Sequence, residues 1–460
     1  MSDFWPIVES HREEWLELWK EAVRIRSLKA EANGLAAIKG FLRQMLGSAG
    51  FTVEEIPTPG EPVLFAERKS VRPDAASVLI YGHYDVQPAD PVEAWESPPF
   101  EPTERNGRLF GRGTGDNKGQ HLAHLFGVLA VLQRFGDLPV TVKFVIEGEE
   151  ESGSPHLPAV FDQHRESLSA DVAITSDGPM AMGDRPMICL GVRGIFSFEL
   201  RVSGARFDNH SGHKGNLVPN SAWRLVHVLS ELLSTDNRVL VPGFYDEVEP
   251  LRAIDRELIE ALPFDPPSVA AALGVPEESV RRWTKQDYYQ RLMTPSFSIN
   301  GLESGYAGPG HKSIIPATAR ALCDVRLVPN QDPAMIDRQF REYLAAIAPD
   351  VEYIPHPGWM YPSRTGAAHP AVAALQEALT RAYGMEPYVE PMMGGSLPDY
   401  VFTRILGIPS LIIPYANHDE GNHGPNENMR IDLFFRAIVA TAEMLMALGN
   451  LSGPAQQPVH

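Results

Sequence analysis

The feature that most narrows what this chain can fold into is a recurring one. Apolar runs of strand length stop on acids or imidazoles, and helical stretches separate them. Val78 to Tyr81 leads into His83 and Asp85, and Phe144 to Ile146 into Glu147, Glu149, Glu150 and Glu151. Val172 to Ile174 leads into Asp177, and Leu411 to Ile413 into His418, Asp419, Glu420 and His423. The segment GDNKGQHLAHLFGVLAVLQRF carries Leu122, Leu125, Phe126, Leu129 and Leu132 at helical spacing. Further helices are expected from Ile7 to Arg26, from Gly34 to Ala49, and between His369 and Tyr383. Strands alternating with helices predict an α/β fold, with a mostly parallel sheet flanked by helices. Open sheets of this kind place ligand sites beyond the carboxyl ends of their strands, so four distant segments are expected to meet at one edge.

From about Leu190 the texture changes. GIFSFELRVSG alternates apolar and polar residues, as an antiparallel strand with one wet face does. A helix is expected from Ser221, then a Pro-punctuated helical stretch over Val241 to Arg291, then the strand-like PSFSINGL and ARALCDVRLVP. The reading is therefore one α/β domain built from residues 1–189 and 366–460, with an α+β domain, residues 190–365, inserted between the halves. The tail GPAQQPVH is expected to fray.

At 460 residues the chain is long enough for two or three domains, and its 43% hydrophobic and 22% charged residues suit a globular protein. The net charge of -19 opposes binding to phosphate backbones and anionic membrane surfaces, so neither nucleic acid nor membrane is an expected partner. The two cysteines, Cys189 and Cys323, lie inside apolar strand-like runs and read as reduced core thiols. The N-terminal DFWPIVESHREEWLELWKEAVRI is amphipathic and acidic on its polar face, unlike a leader peptide, and the expected location is cytoplasmic.

Imidazole and carboxylate are ordinary zinc ligands, and a shared carboxylate holds two ions at the separation used by hydrolytic two-metal sites. Singly, each group has a plainer role. His83 can simply end a strand, the run Glu149 to Glu151 can be a solvated loop, and Asp116 can cap a helix. GRGTGD suggests a phosphate loop, but it has neither the GxGxxG spacing nor a following GK[ST]. It is the joint occurrence that points to metal chemistry.

The chain resembles the M20 metallopeptidases, most closely their dipeptidase branch. The motifs that carry the resemblance are YGHYDVQP (Tyr81 to Pro88), GRGTGDNKG (Gly111 to Gly119), EGEEESGS (Glu147 to Ser154), SDGP (Ser176 to Pro179), HSG (His210 to Gly212), RLVP (Arg326 to Pro329), GGS (Gly394 to Ser396) and NHGPNE (Asn422 to Glu427). The resemblance implies a zinc-exopeptidase-like catalytic domain with an inserted lid that also carries a homodimer contact. It implies two divalent ions, one on His83 and Asp177, the other on Glu151 and His423, with Asp116 bridging. Zinc suits that set, and manganese and cobalt share it.

By the same resemblance Asp85 orients His83, Glu150 is the general base, and His210 reaches the partner's active site to stabilise the oxyanion. Arg326 binds a substrate carboxylate, and Ser313, His356, Gly395 and Ser396 contact substrate. Asn117 stands where a second aspartate or a similar polar residue is expected, and HSGHKGN replaces a more glycine-rich ending after HSG while adding His213, which reads as a surface histidine. The expected reaction is hydrolysis of dipeptides or small peptides. The alternatives are N-acyl- or N-carbamoyl-amino-acid hydrolysis by the same machinery, or a non-catalytic binding protein on the same fold.

Overall fold

The computed structural model describes residues 2–451. The apolar runs assemble into an eight-stranded sheet in the order Thr52–Ile56, Val63–Arg68, Thr141–Glu147, Ser77–His83, Val172–Thr175, Ser410–Ile412, Met187–Cys189, Tyr388–Glu390. The four strands from Thr141–Glu147 to Ser410–Ile412 run parallel. The first two strands form an antiparallel extension at one side. Ser77–His83 is buried along almost its whole length, as expected of a central strand covered on both faces, and this is why its sequence is continuously apolar rather than alternating.

One face of the sheet packs under helices Arg12–Arg24, Ala32–Ser48, Lys118–Phe135, Pro370–Tyr383 and Ile431–Leu448. Trp19 stacks on Phe434 at 4.2 Å between ring centroids within this layer. The opposite face is covered by helix Leu157–Gln163 and the turn Val401–Leu406, through Phe161 and Phe402. The single N-terminal helix expected over Ile7 to Arg26 is two, Trp5–Ser10 and Arg12–Arg24. The break falls at His11, whose ring stacks on Trp15 at 4.9 Å and contacts Gln133 Oε1 at 2.8 Å on the neighbouring helix.

Residues 194–355 contain a second, four-stranded antiparallel sheet in the order Ser296–Ser304, Thr318–Leu327, Gly194–Ser203, Val351–Pro355. Helices Ser221–Leu232 and Pro333–Ile347 cover one face of it, around Phe196, Phe198 and Phe340. The Pro-punctuated stretch is helical in four short pieces, Ala253–Ala261, Pro266–Leu273, Glu277–Val280 and Lys285–Leu292. Cys189 and Cys323 are buried, free thiols. No helix among the described residues is long and apolar enough to cross a membrane. The tail expected to fray, residues 453–460, lies outside the described residues.

Candidate metal centre

Because the four central strands are parallel, their carboxyl ends share one edge. His83 is the last residue of its strand, Asp177 follows Val172–Thr175 by two residues, and Glu150 and Glu151 lie on the short turn after Thr141–Glu147. His423 comes from the loop after Ser410–Ile412 and adopts φ +58°, a left-handed conformation that a residue with a Cβ rarely takes. Asp116 completes the group from the loop before helix Lys118–Phe135. The plainer alternative for Asp116, a helix cap, does not hold: Asn117 occupies the N-cap position and makes no side-chain capping bond.

Asp116 instead divides its oxygens between two histidines. His83 Nε2 stands 3.0 Å from Oδ1, and His423 Nε2 stands 3.1 Å from Oδ2. Asp177 Oδ2 is 3.7 Å from His83 Nε2 on one side, and Glu151 Oε2 is 3.2 Å from His423 Nε2 on the other. Ligand-capable atoms of His83, Asp116 and Glu151 all lie within 4.8 Å of one another. All five residues named from the sequence as possible ligands are thus brought to one place.

The electrostatics fit a cation in this group. Burial and the neighbouring Asp116 push the Asp177 carboxyl up to about 7, and burial holds Glu150 well above the ordinary carboxylate range. His423, bonded to Asp116 and Glu151, is raised to about 10. Burial opposes the charging of His83, but Asp116 and Asp85 outweigh it and its pKa is well raised. Carboxylates here lack positive charge and draw it from the imidazoles, a demand that a divalent cation meets directly.

Asp85 is buried behind His83. Its backbone oxygen accepts from His83 Nδ1 at 3.1 Å, while its carboxylate Oδ1 lies 3.3 Å from the same nitrogen. The other oxygen, Oδ2, accepts from the backbone N–H of Glu151 at 3.1 Å, so one aspartate touches two members of the group. Glu150 differs from its neighbour: its carboxylate takes no hydrogen bond from any described residue.

Several contributors escaped the sequence reading. Gln87 donates to Glu151 through its backbone N–H (3.1 Å) and its amide (2.8 Å). Glu427, fully buried, accepts from the N–H groups of Gly113, Gly115 and Asp116, each at 3.0 Å, and pairs with Arg112 at 2.7 Å. The glycine loop that looks suited to phosphate is therefore a nest for the chain's own carboxylate, and Gly113 at φ +89° supplies the backbone turn it needs. The positions of Gln87 and Glu427 inside YGHYDVQP and NHGPNE were the available signal. Glu420 is buried beside Asp116 and Glu427, and neither carboxylate oxygen has a hydrogen-bond partner among the described residues.

Other predicted residues form separate pairs. Arg326 Nη1 donates to Ser396 Oγ at 2.7 Å. His210 and Ser313 sit side by side where Asn209–His210 pairs with Ile314–Ile315. His356 is anchored by its backbone N–H to Ser197 at 2.9 Å. Among the described residues no hydrogen bond or ion pair ties His210, Ser313, His356 or Gly395 to the His83–His423 group. His213 is exposed, with its ring 4.6 Å from that of His210. His418 and Asp419 turn away from the group. His418 meets Asp184 at 2.8 Å, Asp184 pairs with Arg430 at 2.8 Å, and Asp419 pairs with Arg108 at 2.9 Å.

Residues 79–447 match the profile of Peptidase family M20/M25/M40. The chain is similar to the Beta-Ala-His dipeptidase of Homo sapiens, with 30% identity over 450 residues, 92% of this chain and 87% of that one. It is similar to the Cys-Gly metallodipeptidase dug1 of Schizosaccharomyces pombe, with 29% identity over 87% of this chain and 85% of that one. Among solved structures it resembles the M20 family metallo-carboxypeptidase Sso-CP2 from Sulfolobus solfataricus, at TM-score 0.88 and 34% identity, covering 95% of this chain and 100% of that one.

Proposed function

This chain belongs to peptidase family M20/M25/M40, and from that premise we propose that it is a metal-dependent dipeptidase. The observation that carries the reading is Asp116, with one carboxylate oxygen turned to His83 and the other to His423. In this reading His83 and Asp177 would hold one divalent ion and Glu151 and His423 a second, with Asp116 shared between them. Zinc fits the mixed imidazole and carboxylate donors. Bound ions supply Lewis acidity, which acidifies water and polarises a scissile carbonyl.

The chain's own residues do the rest. Asp85 fixes the tautomer and ring angle of His83, and Gln87 and Asp85 together aim Glu151. Glu150, whose carboxylate takes no hydrogen bond from any described residue, accepts the proton of the attacking water and passes it to the leaving amine. Arg326 offers a guanidinium fork to the substrate carboxylate, beside Ser396 and Gly395. His210 donates to the oxyanion from the partner subunit, with Ser313 and His356 as further substrate contacts.

The proposal includes the division into a catalytic unit, 1–189 and 366–460, and a lid, 190–365, through which two copies pair. The free edge of strand Ser296–Ser304 exposes Ile299 and Leu302, and helix Ser221–Leu232 exposes Trp223 and Val226, an apolar surface suited to a second copy. A cytoplasmic location belongs to the same proposal and is compatible with two free thiols.

The deciding experiment sets a dipeptide panel beside N-acetyl, N-succinyl and N-carbamoyl amino acids. Dipeptides are expected to be cleaved with much the higher kcat/KM. Activity on the acyl compounds alone would replace this reading with the amidohydrolase one.

A further inference from the structure

Arg193 has no assigned part in the site described above, yet it shares a loop with Arg326, the guanidinium assigned to the substrate carboxylate. It immediately precedes strand Gly194–Ser203, in which Ile195 pairs directly with Arg326 across the antiparallel register. Arg193 and Arg326 reach the same loop from two sides. Arg193 Nε donates to Gly394 O at 2.7 Å and its backbone N–H to Gly395 O at 3.0 Å, while Arg326 Nη1 donates to Ser396 Oγ at 2.7 Å.

Two half-buried guanidinium groups side by side repel each other and lose hydration, so their arrangement is unfavourable unless an anion joins them. The protein supplies little of that charge. Arg193 forms no ion pair with any described residue, and its two η nitrogens have no hydrogen-bond partner among them. The nearest carboxylate to Arg326 is Asp324, at 3.9 Å from Nε, and Asp324 also accepts from Asn300 at 2.7 Å. Burial and the neighbouring Arg326 hold the Arg193 pKa below its usual value, and Asp324 only partly offsets them. In a chain of net charge -19, two arginines that share Asp324 as their nearby carboxylate are a local exception.

We propose that Arg193 is a specificity-determining residue, the second guanidinium of a two-arginine clamp that holds the C-terminal carboxylate of the peptide from the side opposite Arg326. The inference rests on the dipeptidase reading for the identity of its ligand. A carboxylate between two forks satisfies both cations, whereas a C-terminal amide satisfies neither and leaves two charges desolvated. The Nε bond to Gly394 O leaves the η nitrogens of Arg193 available to such a ligand.

The test measures binding to the metal-loaded protein by calorimetry, with L-leucine as a product-like probe and L-leucinamide as its uncharged counterpart, alongside steady-state cleavage of Ala-Leu. Arg193→Gln retains a side-chain donor for Gly394 O but removes the charge. It is expected to weaken leucine binding and raise the KM for Ala-Leu by about tenfold or more, with kcat within a few-fold, while leucinamide binding stays within about twofold. Arg193→Lys, which keeps charge without the planar fork, is expected to fall between. Unchanged leucine affinity, or an equal loss of leucine and leucinamide binding, would overturn the clamp. A chain that cleaves no dipeptide but loses its preference for leucine over leucinamide in Arg193→Gln would sink the dipeptidase reading and support the clamp.

Discussion

The carboxylate of Glu427 accepts the backbone N–H of Asp116 at 3.0 Å, so the residue that faces both His83 and His423 is itself held by an acid more than 300 positions further along the chain. Glu427 also gathers the N–H groups of Gly113 and Gly115 and pairs with the buried Arg112. One side chain thereby fixes the loop that delivers Asp116.

Glu427→Ala is expected to unfix that loop and strand a buried arginine, destabilising the protein by about 3–5 kcal/mol. Metal affinity should fall with it. Urea unfolding and equilibrium dialysis with zinc measure the two effects, and full retention of both would remove Glu427 from the account.

Glu150 and Glu151 are adjacent yet placed for different work. Glu151 is bonded by Gln87 and Asp85, and Glu150 by no described residue. Glu150→Gln is expected to keep its metal content and fold and to lose about 10²–10⁴-fold in kcat. A rate near that of the unsubstituted enzyme would reject Glu150 as the base.

His124 is fully buried between Ser176 and Thr441, and burial pushes its pKa down to about 3. Its unfolded value is about 6.5, so the unfolded chain binds a proton that the folded chain refuses between those values. The stability that follows from keeping His124 neutral is fully present above about pH 6.5 and is lost as pH falls toward 3. Chelator-treated protein should lose about 1.4 kcal/mol through this residue between pH 7.5 and 5.5, and His124→Gln should lack that component. Equal pH dependence of the urea midpoints in the two proteins would count against it.

Much of this is legible in the sequence. A continuous apolar run such as VLIYGH is what a central parallel strand requires, and the parallel arrangement by itself sends His83, Glu151, Asp177 and His423 to one edge. Asp116 was less plain, because an aspartate before a helix serves equally well as a cap, and only the placement of His83 and His423 on its two sides shows otherwise. Gln87, Glu427 and Arg193 act through backbone N–H groups and loop carbonyls, contacts that leave no periodic trace in sequence. The split of the first helix at His11 depends on a ring contact with Trp15 and a bond to distant Gln133, which local propensity does not encode.

If this edge holds divalent ions needed for peptide hydrolysis, metal analysis joined to a dipeptide assay on one preparation will show it. The chelated protein should be folded and inactive, should recover activity as it takes up two equivalents of zinc per chain, and should fail to recover in Asp116→Asn. Dipeptide cleavage that survives complete removal of metal, or a folded chain that takes up none, would contradict it.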